Sequence, residues 1–144
     1  DVVLTELIEA RCAGGAADAS ARVALLTRLL EREAKGSTGF GHGVAVPHVK
    51  HESVTRVAAA VGLHPNGIDF SALDRQPVYS VFLLLSPANK PEDHLQAMEV
   101  IFKGLQKDTF RRMRCLPIPR RASGPASPAR VARKPWMPSR SCTS

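Results

Sequence analysis

An α/β layered domain is the fold this sequence predicts, and three observations carry the prediction. Apolar residues recur at helical spacing on either side of a set of β-prone runs, the runs are separated by Gly- and Pro-rich punctuation, and one run, "VYSVFLLLS", has only two polar members. A run of that length closed by Pro87 reads as a central strand buried on both faces. With 144 residues and 44% hydrophobic content, the chain has room for one domain with a substantial core.

The elements follow in order. Val3, Leu4, Leu7 and Ile8 stand at helical spacing, and the glycines of "CAGGAADA" end that first helix. Asp18 or Ser20 can cap a second helix with Val23, Leu25, Leu26, Leu29 and Leu30 as its apolar positions; it should stop near Gly36. "GVAVPH" is a short β-prone run ended by proline, and "VTRVAAAVGLH" reads as a buried strand. In "PNGIDFSALDRQP" the triplet Pro65-Asn66-Gly67 is the clearest turn. A last helix should begin near Asp93 and run to Phe110, with Leu95, Met98, Ile101, Phe102 and Leu105 on one stripe.

Charge divides the chain. The net charge is +7, yet residues 1–108 hold 11 Lys+Arg against 13 Asp+Glu, a net of −2, while residues 109–144 hold 9 Lys+Arg and no acid. The sequence therefore predicts a mildly acidic domain, residues 1–113, and a Pro/Arg/Ser-rich tail, residues 114–144, with six prolines and the composition of a disordered segment. The tail has one aromatic residue, Trp136, which is poor support for base stacking, so no nucleic-acid partner is expected. Cys12, Cys115 and Cys142 are odd in number and scattered, which suggests a reducing, cytoplasmic setting. No apolar run approaches the roughly 20 residues that span a bilayer, and the first residues lack the pattern of a secretory leader, so no membrane insertion is expected.

Chemistry concentrates in "STGFGHGVAVPHVKH", Ser37 to His51. A metal site would need three or four convergent ligands; His42, His48 and His51 are interrupted by a proline, and no Cys or acid stands at a zinc spacing, so no metal is expected. The glycines lack both the GK[ST] ending of a nucleotide loop and the GxGxxG order. Their backbone, with the Ser37 and Thr38 hydroxyls and Gly43, could still line a pocket for a phosphoryl group carried by a neighbouring side chain. His48 is set apart: an apolar strand delivers it, and Pro47 beside it has its φ fixed near about −65°, which limits how the ring is presented. A neutral imidazole is a good phosphoryl acceptor, and cationic or donor groups must then stabilise the transferring charge. Arg32, before the loop, and His94, at the start of the last helix, are the candidates. Read from the residues alone, this constellation stands beside the plainer possibility of exposed or hydrogen-bonded histidines.

The segment "LEREAKGSTGFGHGVAVPH" resembles the active-site stretch of phosphotransferase-system enzyme IIA components of the fructose/mannitol class, including their nitrogen-regulatory branch. The likeness continues through "VYSVFLLLSP" into "DHLQAMEVIFKGL", over roughly residues 4 to 113. It implies a mixed β-sheet flanked by helices on both faces, with no metal or nucleotide cofactor. It also implies that His48 accepts a phosphoryl group from the histidine phosphocarrier protein, that His94 hydrogen-bonds the phosphoryl or steadies His48, and that Arg32 stabilises charge. Phosphate would pass to a IIB component, or, in a regulatory protein, its presence would control binding partners; a degenerate, inactive copy is a further reading. Against the family pattern the chain is expected to be truncated at its N-terminus and aberrant after "FRRM", where an out-of-frame C-terminus is one explanation.

Overall fold

The computed structural model describes residues 2–107. Helix α1, Val2–Ala13, buries Leu4, Leu7, Ile8 and Arg11, the spacing of one helical face. The Asp18 carboxylate accepts the Ser20 N–H and so caps a single 3-10 turn, Ala19–Ala21, that leads directly into α2, Arg22–Ala34. Leu25 and Leu29 are fully buried, one turn apart on the face that α2 turns inward.

Five strands follow: β1 Gly39–Gly41, β2 Val44–Ala45, β3 His48–His51, β4 Ala58–Ile68 and β5 Val78–Pro87. The expected buried strand is β5, and it is the centre of the sheet. Antiparallel β4 takes one of its edges; parallel β2 and β3 take the other, β2 opposite Ser80 and Val81 and β3 opposite Leu84 to Pro87. They share that edge because Ser80 and Leu84 each pair with β4 at the same time. The interruption between them is Pro47, which has no N–H to give the ladder but whose carbonyl accepts Leu84 N–H at 3.0 Å.

The sheet separates two apolar layers, and the period of two along β5 decides which residue enters which. Val81, Leu83 and Leu85 pack with Leu4, Leu7, Ile8, Leu25 and Leu29 of α1 and α2. Phe82 points the other way, to a smaller cluster of Val44, Val46, Leu105, Met98, Ile101 and Phe102. Helix α3, Pro91–Leu105, covers this second face. The mixed sheet with helices on both faces is thus as expected.

Two expectations change. Pro65-Asn66-Gly67 does not reverse the chain: β4 continues through it as a bulge, with Leu63 opposite Ser80 and Ile68 opposite Val78, five residues of advance against two. Gly67 is required there, since its φ of 74° is left-handed and a Cβ would lie 2.7 Å from the Pro77 side chain. The last helix begins at Pro91 rather than near Asp93, because proline at the first helical position gives up an N–H that would be unpaired anyway, and it ends at Leu105 rather than continuing to Phe110. Glu92 and Asp93 then fill the first turn, next to the positive end of the helix dipole. The boundary at residue 113 and the tail 114–144 lie outside the described residues.

Candidate phosphoryl-acceptor site

His48 is the first residue of β3, and its half-buried side chain belongs to the α3 side of the sheet, as does Val46 two residues before it. The Val46 N–H donates to the Thr38 carbonyl at 3.0 Å, which ties this strand to the loop beside it. His48 Nδ1 lies 3.0 Å from the Val46 carbonyl oxygen. A carbonyl can only accept, so Nδ1 carries the hydrogen, and in the neutral ring Nε2 holds the lone pair. The local backbone thereby selects which nitrogen is nucleophilic.

His94, in the first turns of α3, brings its ring to a centroid distance of 5.6 Å from that of His48, tilted by 47°. The residue is 5% exposed, and its Nδ1 lies 2.8 Å from Ser86 Oγ on β5. Burial first, and then the neighbouring His48 and Lys50, push the His94 pKa below its ordinary value, so the ring is neutral at neutral pH. Lys50 is exposed and sits opposite Ser86 in the strand register, two residues beyond His48 on the same face.

The other predicted residues are placed differently. Arg32, exposed in the last turn of α2, donates from Nη1 to the Gly36 carbonyl at 2.8 Å, closing its own helix terminus rather than reaching the histidine pair. The Ser37 hydroxyl donates to the Phe70 carbonyl at 2.7 Å and accepts the Gly39 N–H at 3.0 Å. Thr38 gives both its N–H and its hydroxyl to the Glu33 carboxylate. Gly43, with a φ of 76°, closes the β1–β2 turn, and its carbonyl accepts N–H groups from Tyr79 at 2.8 Å and Ser80 at 3.1 Å. These residues form the loop's own scaffold. The remaining histidines of the motif also have local work: the His42 N–H donates to Asp74, and His51 Nδ1 accepts the Ser53 N–H at 3.1 Å. Among the described residues no three His, Cys, Asp or Glu side chains converge as metal ligands, and no helix is long and apolar enough to cross a membrane.

Sequence reasoning missed Ser86 and the Val46 carbonyl. Ser86 does leave a trace, as one of the two polar members of "VYSVFLLLS" at the carboxyl end of a parallel-paired strand, where α/β folds collect their sites. The partner of Ser86 is not written in the sequence at all.

The chain belongs to the EIIA 2 family of the phosphoenolpyruvate-dependent sugar phosphotransferase system, whose family model matches residues 2–113. It is 39% identical over 90 residues to a fructose-specific EIIA component of Haloferax volcanii, covering 62% of this chain and 58% of that protein. It is 42% identical over 88 residues to a nitrogen regulatory protein of Escherichia coli K12, covering 60% of this chain and 54% of the relative. Among solved structures, the nitrogen regulatory protein IIA-Ntr of Neisseria meningitidis superposes with a TM-score of 0.59 at 32% identity, over 63% of this chain and 62% of that one. The chain thus spans little more than half the length of these curated relatives.

Proposed function

We propose that this protein is a cytoplasmic phosphoryl carrier that accepts a phosphoryl group on His48 Nε2. The observation that carries the reading is the hydrogen bond from His48 Nδ1 to the Val46 carbonyl, beside a second, neutral histidine. With Nδ1–H anchored, the Nε2 lone pair forms the new N–P bond as the donor's P–N bond breaks, and the leaving pair returns to the donor imidazole. The ring becomes cationic in the transfer, and the retained Nδ1–H bond to Val46 stabilises that charge. A donor such as His94 then supports the phosphoryl oxygens, and the exposed Arg32 supplies charge once its guanidinium releases Gly36. Ser37, Thr38 and Gly43 shape the adjoining wall. The donor is the histidine phosphocarrier protein, and the acceptor is a IIB component. On this reading the carrier is residues 1–113, and the acid-free stretch 114–144 takes no part in the chemistry.

The test is incubation with phosphoenolpyruvate, enzyme I and the histidine phosphocarrier protein, followed by intact-mass analysis. A phosphoryl mass gain that is acid-labile and base-stable is expected, and it should be absent from His48→Ala. An equal gain on His48→Ala would overturn the site.

A regulatory role is the second reading, because identity to the nitrogen regulatory proteins of Escherichia coli and Klebsiella oxytoca, 42% over 88 residues, is comparable to the 39% over 90 residues for the fructose-specific EIIA component of Haloferax volcanii. In that case the phosphorylation state of His48 would control binding of a target protein. A neighbouring gene for a IIB/IIC permease would point to transport, and its absence to regulation.

A further inference from the structure

Ser86 is a fully buried residue, 0% exposed, near the carboxyl end of β5, directly after the aliphatic stretch Leu83 to Leu85. A buried hydroxyl hydrogen without an acceptor costs more than an oxygen that leaves its second lone pair unused. Among the described residues, the hydrogen-bond partner of Ser86 Oγ is His94 Nδ1, at 2.8 Å. Two arrangements are possible. If Nδ1–H donated to Ser86, the hydroxyl hydrogen would be left to find another acceptor inside an apolar strand. If Ser86 O–H donates to Nδ1, the hydroxyl hydrogen is satisfied, and the neutral His94 ring must carry its proton on Nε2.

We infer that Ser86 is a positioning residue for phosphoryl transfer: its hydroxyl donates to His94 Nδ1 and holds His94 as the Nε2–H tautomer, a neutral hydrogen-bond donor beside His48. This rests on the reading of His48 as the phosphoryl acceptor and adds to it the means by which its partner is set. The two rings are then oriented by opposite devices. At His48 a backbone carbonyl accepts from Nδ1 and frees Nε2 as a nucleophile; at His94 a serine donates to Nδ1 and leaves Nε2–H as a donor. A nucleophile and a donor for the anion it acquires are complementary, and each is fixed through the same ring nitrogen, one by Val46 between β2 and β3 and the other by Ser86 on β5. Burial supports this by keeping His94 uncharged, so that its tautomer, rather than its charge, defines what it offers.

The test is made on the full chain in two measurements. Long-range 1H–15N spectra of the free protein at neutral pH should show His94 Nδ1 unprotonated and Nε2 protonated. In Ser86→Ala that pattern should shift to a mixture or to the other tautomer, while Ser86→Thr, which keeps the hydroxyl, should retain it. Phosphoryl transfer from the histidine phosphocarrier protein should slow about tenfold in Ser86→Ala and recover in Ser86→Thr. A wild-type His94 protonated on Nδ1, or an unchanged tautomer in a folded Ser86→Ala, would overturn the inference. So would unchanged transfer kinetics. If wild type takes no phosphoryl group on His48, the carrier reading fails and the transfer role falls with it; the tautomer spectrum of the free protein still reports separately on Ser86.

Discussion

The β3–α3 junction and the loop from Ser37 to Gly43, which precedes β3 in sequence, are both rich in polar groups, yet they use those groups differently. In the loop, the Ser37 hydroxyl, both donors of Thr38 and the Gly43 carbonyl are consumed by neighbouring protein atoms. At the junction, His48 and His94 each use Nδ1 for an internal bond, which orients the ring and leaves Nε2 as the nitrogen available for chemistry. A ring with two nitrogens can be anchored and reactive at once; a single hydroxyl already committed cannot. Density of polar residues in the sequence is therefore a poor guide to where the reactive atoms are.

The comparison can be broken at either region, with the largest effect at the junction. His94→Gln keeps an amide donor but loses the fixed ring, and transfer to His48 should slow by about 100-fold, the scale of losing one well-placed donor. Arg32→Ala should slow it less, about tenfold, with little change in melting temperature, because the guanidinium is exposed and its hydrogen bond among the described residues is to Gly36, within its own helix terminus. Stopped-flow transfer from the labelled phosphocarrier protein measures both. Equal rates in all three proteins would remove the junction's claim to chemistry.

The loop should respond in stability instead. A Cβ at Gly39 would lie 2.7 Å from both the Cα and Cβ of Ala72, a backbone approach that cannot relax by rotating a side chain. Gly39→Ala should therefore cost about 1–3 kcal/mol in a urea titration, with the transfer rate per folded molecule nearly unchanged. A rate that falls while stability holds would assign the loop a direct part in the reaction.

The smallest expected effect is in the pH dependence of folding. His94 is buried in its neutral form with a pKa below the ordinary 6.5, so the unfolded chain binds a proton at higher pH than the folded one does. Stability from this group is complete above the unfolded value and declines as pH falls through 6.5 towards the folded pKa. His94→Gln should flatten that part of the stability profile. A slope of equal size in His94→Gln would place its origin elsewhere.

Much of this was legible beforehand because it is written in local periodicity. The run "VYSVFLLLS" marked β5, the spacing of Leu4, Leu7 and Ile8 marked α1, and the Pro-His junction singled out His48. Pro65-Asn66-Gly67 reads as a turn because Pro, Asn and Gly favour a reversal locally, whereas pairing of Leu63 and Ile68 with β5 favours continuing the strand as a bulge. The hydroxyls of Ser37 and Thr38 looked available because their acceptors, the Phe70 carbonyl and the Glu33 carboxylate, are brought to them only by folding.

What the sequence by itself determined is the three helices, the long strands β4 and β5, and which histidine stands apart as a candidate, since apolar period, proline and side-chain chemistry belong to short stretches of chain. Only the tertiary structure decided that β2 and β3 share one edge of β5, that His94 faces His48, and that Ser86 faces His94. These are relations between residues distant along the chain. They are settled by which strand edges pair and which face α3 covers, and a hydrogen-bond direction such as that at Ser86 follows from what burial leaves unsatisfied.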